Sequence, residues 1–193
     1  MKDKVAVFFD AVAENWDKTN DADPAVLEKI ADIAAVAEKK TVLDVGCGTG
    51  VMFPVYLGRD PARITAVDIS EKMLFIAEKK YRNEKISFVC ADIAAFPGSE
   101  TFDCVVAHNA FPHFLRQKEA LERLKALTAP GGTLTIAHSI SREDVIKCHE
   151  NVPDVSVILP EAQELAAAFG DGFENFTVLS DEKCYIVSAA KKK

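Results

Sequence analysis

The nine residues from Val42 to Gly50 read VLDVGCGTG, and they constrain the fold more than any other stretch of the chain. Val42, Leu43 and Val45 have the apolar, partly β-branched character of a buried strand end. Gly46 to Gly50 then supply a tight turn, and VMFPVYL can open a helix at once. Glycine permits positive φ and lets backbone approach a ligand without an intervening Cβ. A strand feeding a glycine turn and a helix N-terminus is the architecture of a nucleotide pocket. The spacing narrows this further. Glycines at 46, 48 and 50 give G-x-G-x-G, whereas the dinucleotide fingerprint is G-x-G-x-x-G. Asp44 also sits inside the strand end. A pyrophosphate is better served by a cleft free of carboxylate, while a ligand with cationic groups tolerates one.

The residues that follow extend the pattern. ARITAVDIS reads as a second strand ending at Asp68, where a carboxylate can bond a ribose. Next come a helix, EKMLFIAEKKY, a third strand, ISFVCAD, ending at Asp92, and a fourth strand, FDCVVAHNA. A helix, QKEALERLKALT, then leads through a Pro130-Gly131-Gly132 turn into a fifth strand ending in IAHS. In this order, residues 40 to 140 resemble the class I S-adenosylmethionine-dependent methyltransferases, and FFDAVAENWD and CYIVSAAK are similar to the family's ends. The resemblance implies an α/β fold: a Rossmann-like, seven-stranded, mostly parallel sheet with helices on both faces and a C-terminal antiparallel hairpin. It implies S-adenosylmethionine as cofactor, cradled by Gly46, Cys47, Gly48 and Gly50. Asp44 would order the loop and face the methionine ammonium, and Asp68 would bind the ribose with Ile69 beside it. Asp92 would meet the adenine amino group, and Ile93 would pack on the ring. Met73 and His108 complete the cofactor set, although Met73 and Thr49 suit plain packing as well. Asp68 and Asp92 each have an alternative as helix caps, but Ser70 followed by Glu71 offers a cap of its own.

The chain of 193 residues is expected to form one domain. Residues 1–38 would be a helical cap or lid and 39–193 the Rossmann-like core, with 139–160 an acceptor-side insertion. Residues 3–16 read as an amphipathic helix. DKTNDAD reads as a polar turn, with Asp23 as N-cap and Pro24 at the first helical position of the next helix. PEAQELAAAFG reads as the last helix, and FTVLSD and CYIVSAAK as an antiparallel hairpin. Phe8, Phe9 and Trp16 serve either as packing or as the inner face of a lid that excludes water.

A net charge of −7 argues against nucleic-acid binding, which needs a basic face. The only basic cluster, Lys191 to Lys193, reads as a solvated terminus. No apolar run approaches the length of a membrane span, and the acidic residues near the N-terminus do not suit a secretory signal. Five cysteines without C-x-x-C spacing read as reduced thiols in a cytoplasmic protein. A monomer or homodimer is expected.

The four histidines are the informative remainder. His108 and His113 follow the fourth strand, His138 ends the fifth, and His149 lies just beyond. Ligands bind at the carboxyl ends of parallel strands, so all four should fall on the methyl-acceptor side. They read as polar lining, as a general base (His108, His113 or His138) or as metal ligands, and no ligand spacing supports a preformed metal site. By the same rule Asp103, at the start of the fourth strand, reads as structural. After the fourth strand the chain has HNAF rather than the N/D-P-P-Y/F run of enzymes that methylate amino groups on DNA. A small-molecule acceptor follows, with Val145, Ile146, Val155, Val157, Ile158 and Leu159 as partly apolar walls. Two other classes stay open: a catalytically silent S-adenosylmethionine-binding subunit and a nicotinamide-linked oxidoreductase.

Overall fold

The computed structural model describes residues 3–19, 22–150 and 152–193. The strands are β1 (Thr41–Val45), β2 (Arg63–Asp68), β3 (Ile86–Cys90), β4 (Phe102–His108), β5 (Thr128–His138), β6 (Phe173–Ser180) and β7 (Tyr185–Lys191). They form one seven-stranded sheet in the order β3-β2-β1-β4-β5-β7-β6. The strands from β1 to β5 pair in parallel, and β7 runs antiparallel to both of its neighbours, β5 and β6. This is the Rossmann-like sheet with one reversed strand that the sequence implies.

Both faces are covered, so the central strands are apolar on alternate residues in both directions. Leu43, Val45, Val105, Leu134 and Ile136 share one core with Leu121 and Leu124 of α6 (Gln117–Leu127) and Leu165 and Phe169 of α8 (Ala162–Phe169). Val42, Ile64, Ala66 and Val106 face the other core. There they meet Ile30 of α3 (Pro24–Ile33), Phe53 and Tyr56 of α4 (Phe53–Leu57), and Leu74 and Ala77 of α5 (Glu71–Lys80). Asp23 caps α3 as expected, its side chain accepting from the Ala25 amide at 2.9 Å.

Three local readings change. The single helix expected over 3–16 is α1 (Lys4–Val12), a short 3-10 turn, and then α2 (Trp16–Thr19). The polar turn read at 17–23 therefore begins as helix, and its centre, Asn20 and Asp21, lies outside the described residues. The Pro130-Gly131-Gly132 turn is absorbed into β5, where the register against β4 shifts between Phe102 and Cys104. Lys191 is not solvated: it belongs to β7, and its ammonium donates to the carbonyls of Lys125 and Thr128, both at 2.8 Å. Asp103 accepts from the Thr41 amide and hydroxyl, each at 2.9 Å, at the strand end remote from the cavity described below. The remaining helix, α7 (Arg142–His149), starts the segment that returns across the carboxyl end of β5.

Candidate active site

A cavity of about 490 Å³ opens along the carboxyl ends of β1, β2 and β4. The glycine loop forms one wall. Gly46, Gly48 and Gly50 have φ of 69°, 54° and 88°, all in the left-handed region. A Cβ on Gly46 would lie 2.4 Å from the Ala110 Cβ, and one on Gly50 would lie 2.5 Å from the Phe53 ring. Packing alone accounts for those two glycines. Gly48 differs: a Cβ there would meet nothing closer than the Trp16 ring nitrogen at 3.8 Å. Gly48 is therefore bare on its cavity side.

The carboxylates sit where the strands place them. The Asp68 carboxylate accepts from the Gly48 amide and the Ser70 amide, both at 2.8 Å, so it braces the glycine loop from the end of β2. Burial raises its pKa, against the pull of those amide bonds. Ser70, not Asp68, caps α5, accepting from the Met73 amide at 3.1 Å. Asp44 is buried, and its Oδ2 has no hydrogen-bond partner among the described residues. Burial, helped by the charge of Asp68, raises its carboxyl to about 8. Asp92 accepts from the Ala94 amide at 2.9 Å, ending β3 with a cap, and its other oxygen pairs with Arg116 at 2.5 Å.

Among the residues proposed to hold the cofactor, Asp44, Gly46, Cys47, Gly48, Asp68, Ile69, Met73, Asp92, Ile93 and His108 line the one cavity. Gly50 lies behind the loop against Phe53 and Tyr81. The N-terminal helices close over the same wall. Asp10 accepts from the Ser70 hydroxyl at 2.7 Å, and Asp17 accepts from the Thr49 hydroxyl at 2.5 Å and the Lys80 ammonium at 2.8 Å. Phe9 stands edge-on to Trp16 at 5.4 Å and to His113 at 4.7 Å, linking the loop end of the cavity to its far end.

The far end holds the histidines, which the fold divides. His108 and His113 line the cavity, whereas His138 and His149 stand behind its wall. His108 and His138 are buried at the ends of β4 and β5, and neither Nε2 has a partner among the described residues. Burial lowers His108 to about 4, and burial with help from the other three rings holds His138 well below the ordinary histidine value. Both are therefore neutral at physiological pH. Among the described residues, no group of three or more histidines, cysteines or acidic side chains can hold a metal ion.

The apolar walls expected from 145–159 are absent from the cavity. Val145, Val155 and Leu159 point into protein and are buried, while Ile158 is 74% exposed. Ser139, Ile140 and Cys148 form that side instead. Asn109, which the sequence reading passed over, has φ of 52° and exchanges two 3.0 Å bonds with Ser139, tying the ends of β4 and β5 together. Its signal was an asparagine directly after a strand, because asparagine tolerates the left-handed conformation. Arg116 and Asp17 were also missed, since their partners lie far away in sequence.

Comparison with known proteins agrees with this geometry. A family model described as "Methyltransferase domain" matches residues 42–132, from the glycine loop to β5. A methyltransferase of Mycobacterium bovis, named as uncharacterized, is 41% identical over 97 residues, covering 49% of this chain and 48% of that protein. The chain thus spans about half the length of that relative. The ubiquinone/menaquinone biosynthesis C-methyltransferase UbiE of Klebsiella pneumoniae is 28% identical over 89% of this chain and 73% of its own length. Among solved structures, the N-methyltransferase NodS of Bradyrhizobium japonicum WM9, in complex with S-adenosyl-L-homocysteine, superposes with a TM-score of 0.74. It covers 99% of this chain and 100% of NodS at 16% identity. Residues 42–132 thus match a methyltransferase domain, and the chain as a whole shares the fold of NodS.

Proposed function

We propose that this protein transfers a methyl group from S-adenosylmethionine to a small-molecule acceptor. The observation that carries the reading is the single cavity shared by the glycine loop, the buried carboxylates and two of the histidines. The residues fit such a cofactor. Gly48 leaves a bare stretch of backbone, and Asp44 offers a buried carboxylate oxygen without a partner. That oxygen suits an ammonium group, whose charge offsets the burial that keeps Asp44 protonated. Asp68 is fixed by two amides and retains lone pairs for ribose hydroxyls. Asp92 and Ile93 line the same cavity and, by the family resemblance, would meet the adenine. The bound cofactor supplies a methyl group already activated by a sulfonium.

The protein's share of the work is alignment and exclusion of water. The Phe9 and Trp16 side chains serve this as an inner lid. His108, neutral and with its Nε2 unpartnered, is the candidate to accept a proton when the acceptor must lose one. The small-molecule class is supported by the enclosed site, by the net charge of −7, and by relatives whose names refer to quinone biosynthesis. Five free cysteines suit a reducing compartment such as the cytoplasm, and no helix among the described residues is long and apolar enough to cross a membrane.

Calorimetry with S-adenosylhomocysteine and with NAD, followed by product release with a panel of phenols, quinols and amines, tests the reading. Binding of S-adenosylhomocysteine alone and its formation with one acceptor class is expected. Binding of NAD alone overturns it. Binding of S-adenosylhomocysteine without turnover on any acceptor favours the silent subunit.

A further inference from the structure

His113 and His149, 36 residues apart, bring their Nε2 atoms within 3.1 Å of each other. The other nitrogen of each ring is already committed. His113 Nδ1 lies 2.9 Å from the Val155 carbonyl oxygen, and His149 Nδ1 lies 2.6 Å from that of Val145. A carbonyl oxygen only accepts, so both Nδ1 atoms carry hydrogen. In the neutral rings both Nε2 atoms are then bare lone pairs, pointed at one another at hydrogen-bond distance. Such a contact is repulsive unless a cation stands between them.

We propose that His113 and His149 hold one proton in common between their Nε2 atoms, and that this N–H···N bond pins α7 and residues 152–159 over the acceptor end of the cavity. The pair sits at the joint of four elements. His113 lies in the turn Phe111–His113 after β4, and His149 ends α7. The Phe9 ring of α1 stands edge-on to His113 at 4.7 Å. The segment after α7 returns to the same turn, where the Val157 amide donates to the Pro112 carbonyl at 2.8 Å.

Among the described residues, no acidic side chain is bonded to either ring. His138 of β5 interacts with both rings and His108 of β4 interacts with His138, and burial keeps both neutral. Cys148 adjoins His149 and lines the cavity, as does Asp3. Of the charged groups of α7, Asp144 is engaged with Ser141 and Lys147, Arg142 is engaged with Glu161, and Glu143 lies in the first turn, at the other end of the helix from His149. Beyond the pair, Lys4 and Asp154 form an exposed contact at 3.9 Å.

Burial, with the charge of His149, works against the shared proton and outweighs the Val155 bond, drawing His113 down to about 4. A charged hydrogen bond and relief of the lone-pair contact work for it. When the segment opens, the two rings part and no second nitrogen holds the proton. A pair that binds its proton more tightly closed than open favours closure on the acid side. Closure is then lost as pH rises through the pair's own titration.

The test uses the full chain labelled with ¹⁵N-histidine, followed by NMR from acid to mildly alkaline pH. Amide exchange of α7 and residues 152–159 is measured alongside and corrected for intrinsic base catalysis. Expected are hydrogen on both Nδ1 atoms, Nε2 signals that titrate together for one proton, and exchange that quickens roughly tenfold or more across that titration. In His149→Gln the side-chain amide donates to His113 without titrating, so the segment stays closed and the pH dependence disappears. Separate titrations of the two rings, a bare Nδ1 on either, or opening on acidification each overturn the proposal. Zinc chloride is titrated in parallel. Stoichiometric uptake that shifts both Nε2 signals and closes the segment at high pH overturns the shared proton in favour of a metal ion.

Discussion

The two ends of the cavity are built on different principles. At the cofactor end, backbone and carboxylates hold one another: Asp68 bonds the Gly48 and Ser70 amides, and Asp10 and Asp17 fasten the N-terminal helices to the same wall. At the acceptor end, beside the bonded Asn109 and Ser139, stand four imidazoles, two of them with an unpartnered Nε2 and two facing each other. A loop prepared for one fixed ligand gains from rigidity, because bonds already made cost no ordering on binding. An end that must admit an acceptor and release a product gains from groups that change partners. Substitutions at the first end should therefore act on cofactor affinity, and those at the second on what reaches the methyl group.

The glycine loop offers the largest test of this division. Gly48→Val should reduce S-adenosylhomocysteine affinity by roughly 100-fold or more, since it places a side chain where only backbone now faces the cavity. The new Cβ meets no atom of the protein closer than 3.8 Å, so the cost to the fold is the strain of valine at a φ of 54°, and melting is measured alongside binding. Gly46→Val and Gly50→Val form the contrast. Their Cβ atoms would collide with Ala110 and Phe53, so thermal melting should drop before binding can be read. A Gly48→Val protein that binds normally would break the assignment of this end.

Asp68→Ala should weaken binding by roughly 10- to 100-fold, the range expected for losing bonds to a charged group. Asp68→Asn sharpens the result. One amide oxygen can still brace a single backbone N–H, so loop order should be partly kept while affinity stays low.

Asp44 makes a prediction that depends on pH. Its folded-state pKa of about 8 lies well above the ordinary carboxylate value. As pH rises from about 4 towards 8, the unfolded chain ionises while the folded protein keeps its proton, so Asp44 lowers stability through that window. Asp44→Asn removes the effect and should raise the melting temperature of the ligand-free protein at pH 7, with little change at pH 4. It should also weaken S-adenosylhomocysteine binding by roughly tenfold, because an amide does not pair with an ammonium. In the wild-type protein, binding at pH 7 should release about one proton, measured by calorimetry in buffers of different ionisation enthalpy. Absence of proton release would remove the ammonium from Asp44.

How much of this could be read in the sequence follows the same division. The cofactor end was legible because its chemistry is local. A strand, a glycine turn and a carboxylate at the end of the next strand are short-range patterns, and the parallel topology places them side by side. The acceptor end was legible only in kind. The sequence groups the four histidines near one crevice, but the pairing of His113 with His149 depends on how the segment after β5 returns to the turn after β4. The apolar residues of that segment were misassigned for a related reason. Val145, Val155 and Leu159 satisfy burial against the core as readily as against a ligand, and hydrophobicity alone does not distinguish the two. The clasps at Asp10 and Asp17 had no local signal, since their partners are 60 and 32 residues away.

Those clasps give the smallest expected effect. Asp17 joins the N-terminal helices to the glycine loop through Thr49 and to α5 through Lys80. Burial would raise its carboxyl, but the Lys80 and Thr49 bonds outweigh this and hold it below the ordinary value. The clasp is therefore intact at neutral pH and weakens only as pH falls through the carboxylate range. Half-exposed ion pairs contribute little, so Asp17→Ala should weaken S-adenosylhomocysteine binding by only about two- to fivefold. The kinetics carry more information than the affinity. If the helices act as a lid, the loss should fall on dissociation, with faster release and an almost unchanged association rate in stopped-flow fluorescence of Trp16, the only tryptophan in the chain. Lys80→Gln should reproduce part of the effect, and the double variant should be no worse than Asp17→Ala, because both changes break one contact. A slower association rate with unchanged release would instead make these helices a fixed part of the wall.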